Sequence, residues 1–332
     1  VGAEASHLRL VSNNAGQQIN INIGPVTGTV QVFGLNGQDA TYTGVSSLEV
    51  ETGSGQDFVE VRVRGVAPMP VSINTRANNS DVKFVYEMPN TTSTAVAHAV
   101  TVLGEGGNDK VTFEGVIRPR FFFSNWTVRQ GGGNNEVFVT TSTTTNVRTN
   151  DQRLDTVSGS GEDVVAVNVE SLAPRNYLLV RALTGQANDS VVMNFNGQFS
   201  GVTPSVPNTI RFFVDQNAGL DVCEANIVSR GRSANVAGTM IGGSGDDFLK
   251  LLLDGNGSVD TVMNGRANND TVDVELKGTI SGTPQLQGFT GDDYLKVVHT
   301  NGQVLTTPIV DGGDNFDRAV AFGTIVNVEN LE

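Results

Sequence analysis

Acidic residues that close glycine-rich turns are the groups in this sequence whose types and spacing suggest chemistry. The clearest such turns are GSGQD at 53–57, GEGGND at 104–109, GSGED at 159–163, GGSGDD at 242–247 and GFTGDD at 288–293. Ca²⁺ prefers carboxylate and backbone carbonyl oxygens, and turns of this kind supply both. If the chain binds a metal, we therefore expect Ca²⁺ at the closing acidic residues, which are Asp57, Asp109, Asp163, Asp247 and Asp293. The alternative is that each Asp accepts backbone N–H bonds and caps its turn.

Some acidic positions fit a cation better than others. Three turns carry two adjacent acidic residues, at 162–163, 246–247 and 292–293, and these are the strongest ion candidates. The stretch from Asp254 to Asp260 also has the alternate-oxygen spacing of a calcium loop, but it has no bidentate Glu at the twelfth position. Calcium and turn capping both remain open on this evidence.

Catalytic signatures are sparse, and we expect no enzyme. Lys250 and Lys296 each follow a doubly acidic turn by three residues, which a solvated strand face explains. The three histidines share no motif, and no HExxH, CxxC or CxxCH occurs. The alternative is a carbohydrate-active site, which would need several carboxylates converging in one groove. Cys223 is a lone thiol, and we expect it in the core.

Composition bounds the class of protein and its partners. The chain has 332 residues, a net charge of −14, 39 glycines and one cysteine. The acidic balance argues against nucleic acid and anionic membrane surfaces, which need clustered Lys and Arg. A chain that starts at Val1 without Met, with no apolar run of membrane-spanning length, fits a processed secreted protein or an excised segment.

The elements that position these acidic residues recur along the chain. Gly-rich turns that end in an acidic residue are followed by alternating apolar strands, and the closing acidic residues are 23–28 residues apart, with one gap of 58. That gap predicts two repeats with a decayed motif near Asp221 in AGLD. The closing residues in order are Asp57, Asp81, Asp109, Glu136, Asp163, Asp189, Asp247, Asp270, Asp293 and Asp317.

Alternation after each turn defines the fold class. Val59, Val61 and Val63 alternate with polar or charged neighbours, as do the residues after Asp163, Asp247 and Asp270. A period of two indicates strands buried on one face, and a constant repeat of about 25 residues indicates stacked coils. The sequence thus predicts an all-β, parallel β-helix or β-solenoid, with 12 or 13 coils if 332 residues are divided by about 26.

The organisation within that fold is less regular in places. We expect residues 1–50 to form N-terminal strands that cap one end, and 51–332 to form a continuous solenoid with irregular insertions near 85–103, 117–130 and 198–235. Two insertions hold aromatic runs, Phe121–Phe123 with Trp126, and Phe212–Phe213. These rings either fill the core or offer a platform for a sugar or a protein partner.

The motifs GSGQDFV, GEGGNDKV, GSGEDVV and GGSGDDFL, with the terminal NVENLE, resemble the RTX (hemolysin-type) Gly/Asp repeats of secreted bacterial β-solenoid proteins. The resemblance implies a bacterial extracellular or cell-surface protein with Ca²⁺ at its turns. This chain departs from the family because its motifs are about 25 residues apart rather than tandem nonapeptides. We expect an exported structural solenoid that associates with copies of itself into filaments or fibres; the alternative is a calcium-dependent adhesin that binds glycans.

Overall fold

The computed structural model describes residues 6–12, 16–65, 68–76, 79–90, 95–145, 147–198 and 207–331. These residues form an all-β protein without a helix, in which parallel strands stack as the coils of a β-solenoid. The predicted fold class is therefore confirmed. The coils number about ten rather than 12 or 13, because part of the N-terminal region forms a hairpin and one repeat is longer than the average.

Alternating side chains explain why these segments are strands. After Asp57, the side chains of Val59, Val61 and Val63 are almost completely buried, while the residues between them are partly exposed. The same alternation follows Asp163 and Asp270. Burying every second side chain places one strand face on the core and leaves the other at the surface.

The chain divides into two compact units, residues 1–159 and 160–332, and each is described by itself. The strands of the first unit are β1 (Ser6–Val11), β2 (Gln18–Ile23), β3 (Val30–Leu35), β4 (Gln38–Tyr42), β5 (Val45–Glu51), β6 (Asp57–Val63), β7 (Val71–Arg76), β8 (Ser80–Tyr86), β9 (Ala95–Gly104), β10 (Lys110–Ile117), β11 (Phe121–Arg129), β12 (Glu136–Thr143) and β13 (Thr149–Val157).

Two parallel ladders of strands build the first unit. One ladder runs β1–β5–β7–β9–β11–β13, and the other runs β2–β6–β8–β10–β12. The core lies between them, since Trp126 of the first ladder stacks on Phe113 of the second with ring centroids 4.9 Å apart. Each coil therefore contributes one strand to each wall of the core.

The N-terminal region contains two antiparallel strand pairings. Strand β3 pairs antiparallel with β2 and with β4, so the β3–β4 hairpin covers the outer edge of β2. Strands β1 and β2 belong to the parallel ladders. Residues 1–5 and 13–15 of the predicted cap lie outside the described residues.

The strands of the second unit are β14 (Val164–Ser171), β15 (Arg175–Gln186), β16 (Ser190–Gln198), β17 (Asn208–Ala218), β18 (Val222–Ser244), β19 (Phe248–Ala267), β20 (Thr271–Lys277), β21 (Ile280–Gly282), β22 (Gln285–Thr290), β23 (Tyr294–Asn301), β24 (Val304–Thr306), β25 (Ile309–Asp314), β26 (Arg318–Val320), β27 (Thr324–Val326) and β28 (Asn330–Leu331).

The second unit repeats the two-ladder plan. One ladder runs β14–β16–β18–β19–β20–β23–β26–β28, and the other runs β15–β17–β18–β19–β22–β25–β27. Long strands β18 and β19 bend and serve both ladders. A short third ladder joins β19, β21 and β24.

Regular strands occupy much of the three segments that we expected to be irregular. Strand β11 lies within 117–130 and pairs over nine positions with both β9 and β13. Strands β17 and most of β18 lie within 198–235, and most of β9 lies within 85–103. Residues 91–94 and 199–206 of these segments lie outside the described residues.

Candidate functional site

One buried acidic side chain from nearly every coil of the second unit forms a continuous row, here called the corner ladder. Its members are Asp163, Asp189, Asp221, Asp247, Asp270, Asp293 and Asp317, each at most 3% exposed. The backbone N–H of each member donates to Oδ1 of the next member along the chain, at 2.7–2.9 Å. At the end of the row, Glu329 accepts the N–H of Asp317 at 2.7 Å.

The corner ladder confirms the decayed repeat near Asp221. This residue accepts the N–H of Asp189 and donates its own to Asp247, so the 58-residue gap holds two coils of 32 and 26 residues. The longer coil includes the segment 199–206 that is not described.

The first unit has its own corner ladder, and its membership corrects two sequence assignments. Asp57 accepts the N–H of Gln17 at 2.8 Å, and Asp109 accepts that of Ser80 at 3.0 Å. Asn135, not Glu136, occupies the next position and accepts the N–H of Asp109 at 3.1 Å.

Asp81 and Glu136 are each one residue away from the inward position. Their side chains point outward and lie in register with Lys110, which pairs with Glu136 at 2.9 Å. In a strand, a shift of one residue moves a side chain to the opposite face. Asp81 and Glu136 are therefore not the corner residues of these two coils. Ser80 and Asn135 occupy the corner positions.

The second carboxyl oxygen explains the recurring five-residue spacing between Gly and Asp in these turns. A Cβ added to the glycine five residues before Asp109, Asp247, Asp270, Asp293 or Asp317 would lie 2.1–2.3 Å from Oδ2 of that Asp. Real atoms do not approach so closely, so only glycine leaves room for the carboxyl group. The five glycines are Gly104, Gly242, Gly265, Gly288 and Gly312. The Gly-to-Asp spacing is thus a packing requirement.

Burial raises the pKa of these carboxyl groups. The pKa rises to about 7 for Asp109 and Asp247, to about 8 for Asp270, and to about 6 for Asp221 and Asp293. In each case the largest cause is the loss of water around the charged form, which the hydrogen bond from the backbone only partly offsets. The corner ladder therefore holds carboxyl groups that titrate near neutral pH.

A second row of Asx side chains lies at the surface, one residue before the corner ladder. Asn269 donates its N–H to Asp246 and accepts that of Asp292, at 3.0 and 2.8 Å. Likewise, the backbone N–H of Asn134 donates to Oδ1 of Asn108, and the backbone N–H of Asn108 donates to Oδ1 of Asn79. Hydrogen bonds in this row run in the opposite chain direction to those of the corner ladder, so each turn is fixed to both of its neighbours.

The residues predicted to hold Ca²⁺ all belong to the corner ladders. Asp57, Asp109, Asp163, Asp247 and Asp293 are buried, one per coil. The carboxyl groups of Asp247 and Asp293 accept the backbone N–H groups of Asp221 and Asp270, and the N–H of Asp163 donates to Asp189. No group of three or more His, Cys, Asp or Glu side chains is arranged to hold a metal among the described residues. The geometry displays the turn-capping alternative, while calcium binding stays a prediction.

The calcium-like stretch from Asp254 to Asp260 also supplies turn caps. Asn256 accepts the N–H of Thr279 at 2.9 Å, and Asp260 is 3.4 Å from the N–H of Thr283. Gly255 and Gly257, both with positive φ, let the neighbouring backbone approach closely. The side-chain oxygens of Asn256 and Asp260 therefore face backbone N–H groups of the following coil.

Of the residues considered for chemical reactivity, Lys250 and Lys296 lie in a surface row of charged side chains and Cys223 lies in the core. Lys250 and Lys296 flank Asp273 in a surface row that begins with Glu224, and Lys296 pairs with Asp273 at 3.0 Å. Cys223 is fully buried, and this burial raises the pKa of its thiol.

The aromatic residues of the first unit divide between core and surface. Phe122 and Trp126 are buried, and the indole N–H of Trp126 donates to the hydroxyl of Tyr86 at 2.8 Å. Phe123 points outward and is 37% exposed. The same division occurs in the second unit, where Phe212 is buried and Phe213 is 36% exposed. Core filling is therefore confirmed for the inward rings only.

Phe123 lines a groove of about 390 Å³ on the surface of the first unit. Pro68, Pro70, Ala97 and Ala99 contribute to its lining. Asn125, Asp151 and Arg153 complete the lining, and Arg153 pairs with Asp151 at 3.1 Å. The groove therefore combines one partly exposed aromatic ring with planar polar groups.

A second groove, of about 520 Å³, lies on the other ladder of the first unit. Lys83 and Lys110 lie between Phe58 and Phe138 in its lining. Lys83 pairs with Glu114 at 2.7 Å and Lys110 with Glu136 at 2.9 Å. The cationic groups of this groove therefore already have partners.

No protein-family model, curated protein or solved structure matches this chain significantly. None of the described residues forms a helix that is long and apolar enough to cross a membrane. What can be said of function therefore depends on the geometry of the coils, the corner ladders and the surface grooves.

Proposed function

We propose that this chain is an exported structural β-solenoid of the bacterial surface or extracellular matrix, which associates with copies of itself. The observation that carries the proposal is that almost all of the described residues lie in coils, and that the buried acidic side chains of the corner ladders cap the backbone of the preceding coil rather than converge in a groove. Such an architecture supports a rigid scaffold. Its resemblance to RTX-type repeats and its acidic surface favour a location outside the cell.

Self-association is supported by exposed apolar side chains near β24. They are Val304, Leu305 and Phe316, between 49% and 56% exposed. Exposed apolar groups that lie together mark surfaces at which proteins associate.

Because Val304, Leu305 and Phe316 are each about half exposed, we place the self-association surface at these side chains.

Sedimentation and negative-stain electron microscopy of the full chain test this proposal. We expect assemblies that grow with protein concentration, and we expect Leu305→Lys to reduce them. Leu172→Lys is the matched control, because Leu172 is 39% exposed but lies outside the segment 304–316. A wild-type protein that stays monomeric at every concentration, or equal effects of the two substitutions, would contradict self-association through this surface.

A second candidate function is glycan binding at the groove around Phe123, as in an adhesin. It is favoured by the exposed ring beside Asn125, Asp151 and Arg153. Titration calorimetry with neutral and uronic-acid oligosaccharides, with and without Ca²⁺, tests it. We expect Phe123→Ala to weaken binding at least about tenfold, whereas Phe213→Ala, which removes a ring of similar exposure elsewhere, leaves it unchanged. Absence of binding by the wild type would remove this candidate.

A further inference from the structure

Three outward side chains on strands β1 and β5 of the first unit form a chain of hydrogen bonds. The hydroxyl oxygen of Ser47 lies 2.9 Å from Nδ1 of His7, and Nε2 of the same ring lies 2.8 Å from Oε2 of Glu49. His7 and Ser47 are 40 residues apart in sequence, so no local motif joins them. A hydroxyl, an imidazole and a carboxylate in this order are the groups that activate a serine as a nucleophile.

The hydrogen-bond partners determine which nitrogen of the neutral His7 ring carries the proton. An ionised carboxylate can only accept hydrogen bonds, so the proton lies on Nε2 and is donated to Glu49. Nδ1 then has a free lone pair and accepts the hydrogen bond of the Ser47 hydroxyl. The other carboxyl oxygen of Glu49 lies 3.7 Å from the guanidinium of Arg9. His7 is therefore oriented as a base that can take the Ser47 proton.

A bulge in β5 brings these three groups together. Ser6 is in register with Val45, but the next residue, His7, is in register with Ser47, so β5 has one residue more than β1 at this point. Bulges redirect side chains and are frequent beside active sites. Here the bulge places the hydroxyl opposite the imidazole, and the alternation of the strand places Glu49 on the same face two residues later. His7 is exposed and Ser47 is partly exposed, so a substrate can reach both.

Ser47 lies beside the groove that Phe123 lines. Leu48 is in register with Val71, so the residues before them, Ser47 and Pro70, are neighbours on adjacent coils. Adjacent coils are about 4.8 Å apart. Pro70 belongs to the lining of the groove, whose volume is about 390 Å³. An apolar group bound in this groove would therefore hold a neighbouring bond close to the Ser47 hydroxyl.

We propose that Ser47, His7 and Glu49 form a hydrolytic site for carboxylic esters, with the apolar part of the ester bound in the groove beside Pro70. Ser47 and His7 are the catalytic residues, and Glu49 is a positioning residue that holds the imidazole ring. The inference goes beyond the proposed function, because it depends neither on self-association nor on glycan binding in the groove.

The reaction needs only the ester and water. Oγ of Ser47 attacks the carbonyl carbon while Nδ1 of His7 takes the hydroxyl proton. The bond between the carbonyl carbon and the alcohol oxygen then breaks, and His7 gives the proton to that oxygen, which leaves as the alcohol. Water attacks the acyl group on Ser47 and gives a proton to His7, which returns it to Oγ as the carboxylic acid is released.

Hydrolysis of p-nitrophenyl acetate by the full chain tests the proposal. We expect Ser47→Ala to lower the protein-dependent rate at least about a hundredfold, because a positioned base contributes about 10²–10⁴-fold. Ser72→Ala is the matched control and should keep the wild-type rate, since Ser72 is on the same face, next to Glu49 in the following coil. A wild-type rate equal to that of buffer alone or of Ser47→Ala would overturn the proposal.

Mass spectrometry of protein quenched in acid distinguishes a nucleophilic serine from an imidazole that acts alone. We expect an acetyl group on Ser47 of the wild type after a short incubation with p-nitrophenyl acetate, and none on Ser47 of His7→Gln. Acetylation that is confined to His7 in the wild type, or unchanged acetylation of Ser47 in His7→Gln, would refute the assigned roles.

Two further variants separate positioning from binding. Glu49→Gln should lower kcat at least about tenfold and leave KM unchanged, because it disturbs the orientation of the base. Phe123→Ala should raise KM for p-nitrophenyl butyrate more than for the acetate and leave kcat unchanged, because the groove binds the apolar part in the ground state as well. An unchanged kcat in Glu49→Gln would contradict its positioning role, and equal effects of Phe123→Ala on the two esters would exclude the groove from the site.

Discussion

The packing of glycine against the corner carboxyl group makes a sharp prediction at Gly104. In Gly104→Ala the new Cβ would lie 2.2 Å from Oδ2 of Asp109, whereas real contacts of this kind are at least 3.0 Å. The carboxyl group must therefore retreat by about 0.8 Å. Its other oxygen holds the N–H of Ser80 at 3.0 Å, so retreat weakens a buried hydrogen bond as well.

The two effects set the expected magnitude. Overpacking in a close-packed interior costs about 1–3 kcal/mol, and a buried donor left without its acceptor costs about as much again. We expect Gly104→Ala to lower the free energy of unfolding by about 2–5 kcal/mol. Gly106→Ala is the matched control in the same turn, because a Cβ there meets nothing within 4 Å. Its effect should stay within about 0.5 kcal/mol.

Urea unfolding followed by circular dichroism measures both variants. A further comparison removes the carboxyl group: in an Asp109→Ala background, the cost of Gly104→Ala should become smaller, because the atom that it strikes is gone. Equal stabilities of Gly104→Ala and Gly106→Ala would refute the packing explanation of the repeated glycine. So would an undiminished cost in the double variant.

Two further predictions concern the core. Trp126→Phe removes the donor to the buried hydroxyl of Tyr86 and should lower the free energy of unfolding by about 1–3 kcal/mol, measured by chemical denaturation; an unchanged stability would contradict the hydrogen bond. Cys223, which is buried and has a raised pKa, should react with a disulfide reagent only in denaturant; rapid reaction of the native protein at neutral pH would show that the thiol is accessible.

The repeat and the alternation of apolar residues were sufficient to predict the coils. Val59, Val61 and Val63 are buried as their spacing indicates, and the weak AGLD motif correctly marked a corner at Asp221. The reason is that stacking imposes the same constraint at every coil, so a regular sequence reports it many times. The antiparallel β3–β4 hairpin and the number of coils could not be read this way, because residues before the first clear turn do not repeat.

The corner positions were harder to predict than the coils. Asp81 and Glu136 follow Gly/Asn-rich turns as the true corner residues do, yet Ser80 and Asn135 hold the inward positions. Both Asp and Asn can accept the backbone N–H, so residue type alone does not distinguish the two faces of the strand. The signal that finds the correct residue is the phase of the buried strand that follows, in which Val82 and Val137 are inward.

Reading the acidic residues as ligands also missed the role of their neighbours. The glycine five residues before Asp109, Asp247 or Asp270 is needed because the carboxyl group occupies the space that a Cβ would fill, which is a close approach between two residues of one turn. Sequence spacing shows that the two residues recur together, but only coordinates show that they touch. The groove at Phe123 was out of reach for a related reason, since Pro68, Ala97 and Asp151 come from different coils.

Amide hydrogen exchange tests the central claim most directly, namely that each corner carboxyl group caps the backbone of the preceding coil. The N–H groups of Asp247 and Asp270 donate to buried carboxyl oxygens at 2.9 and 2.8 Å. We therefore predict that these two turn amides exchange as slowly as those at the centres of β19 and β20. Exchange as fast as that of the exposed turn amides beside them would contradict the claim.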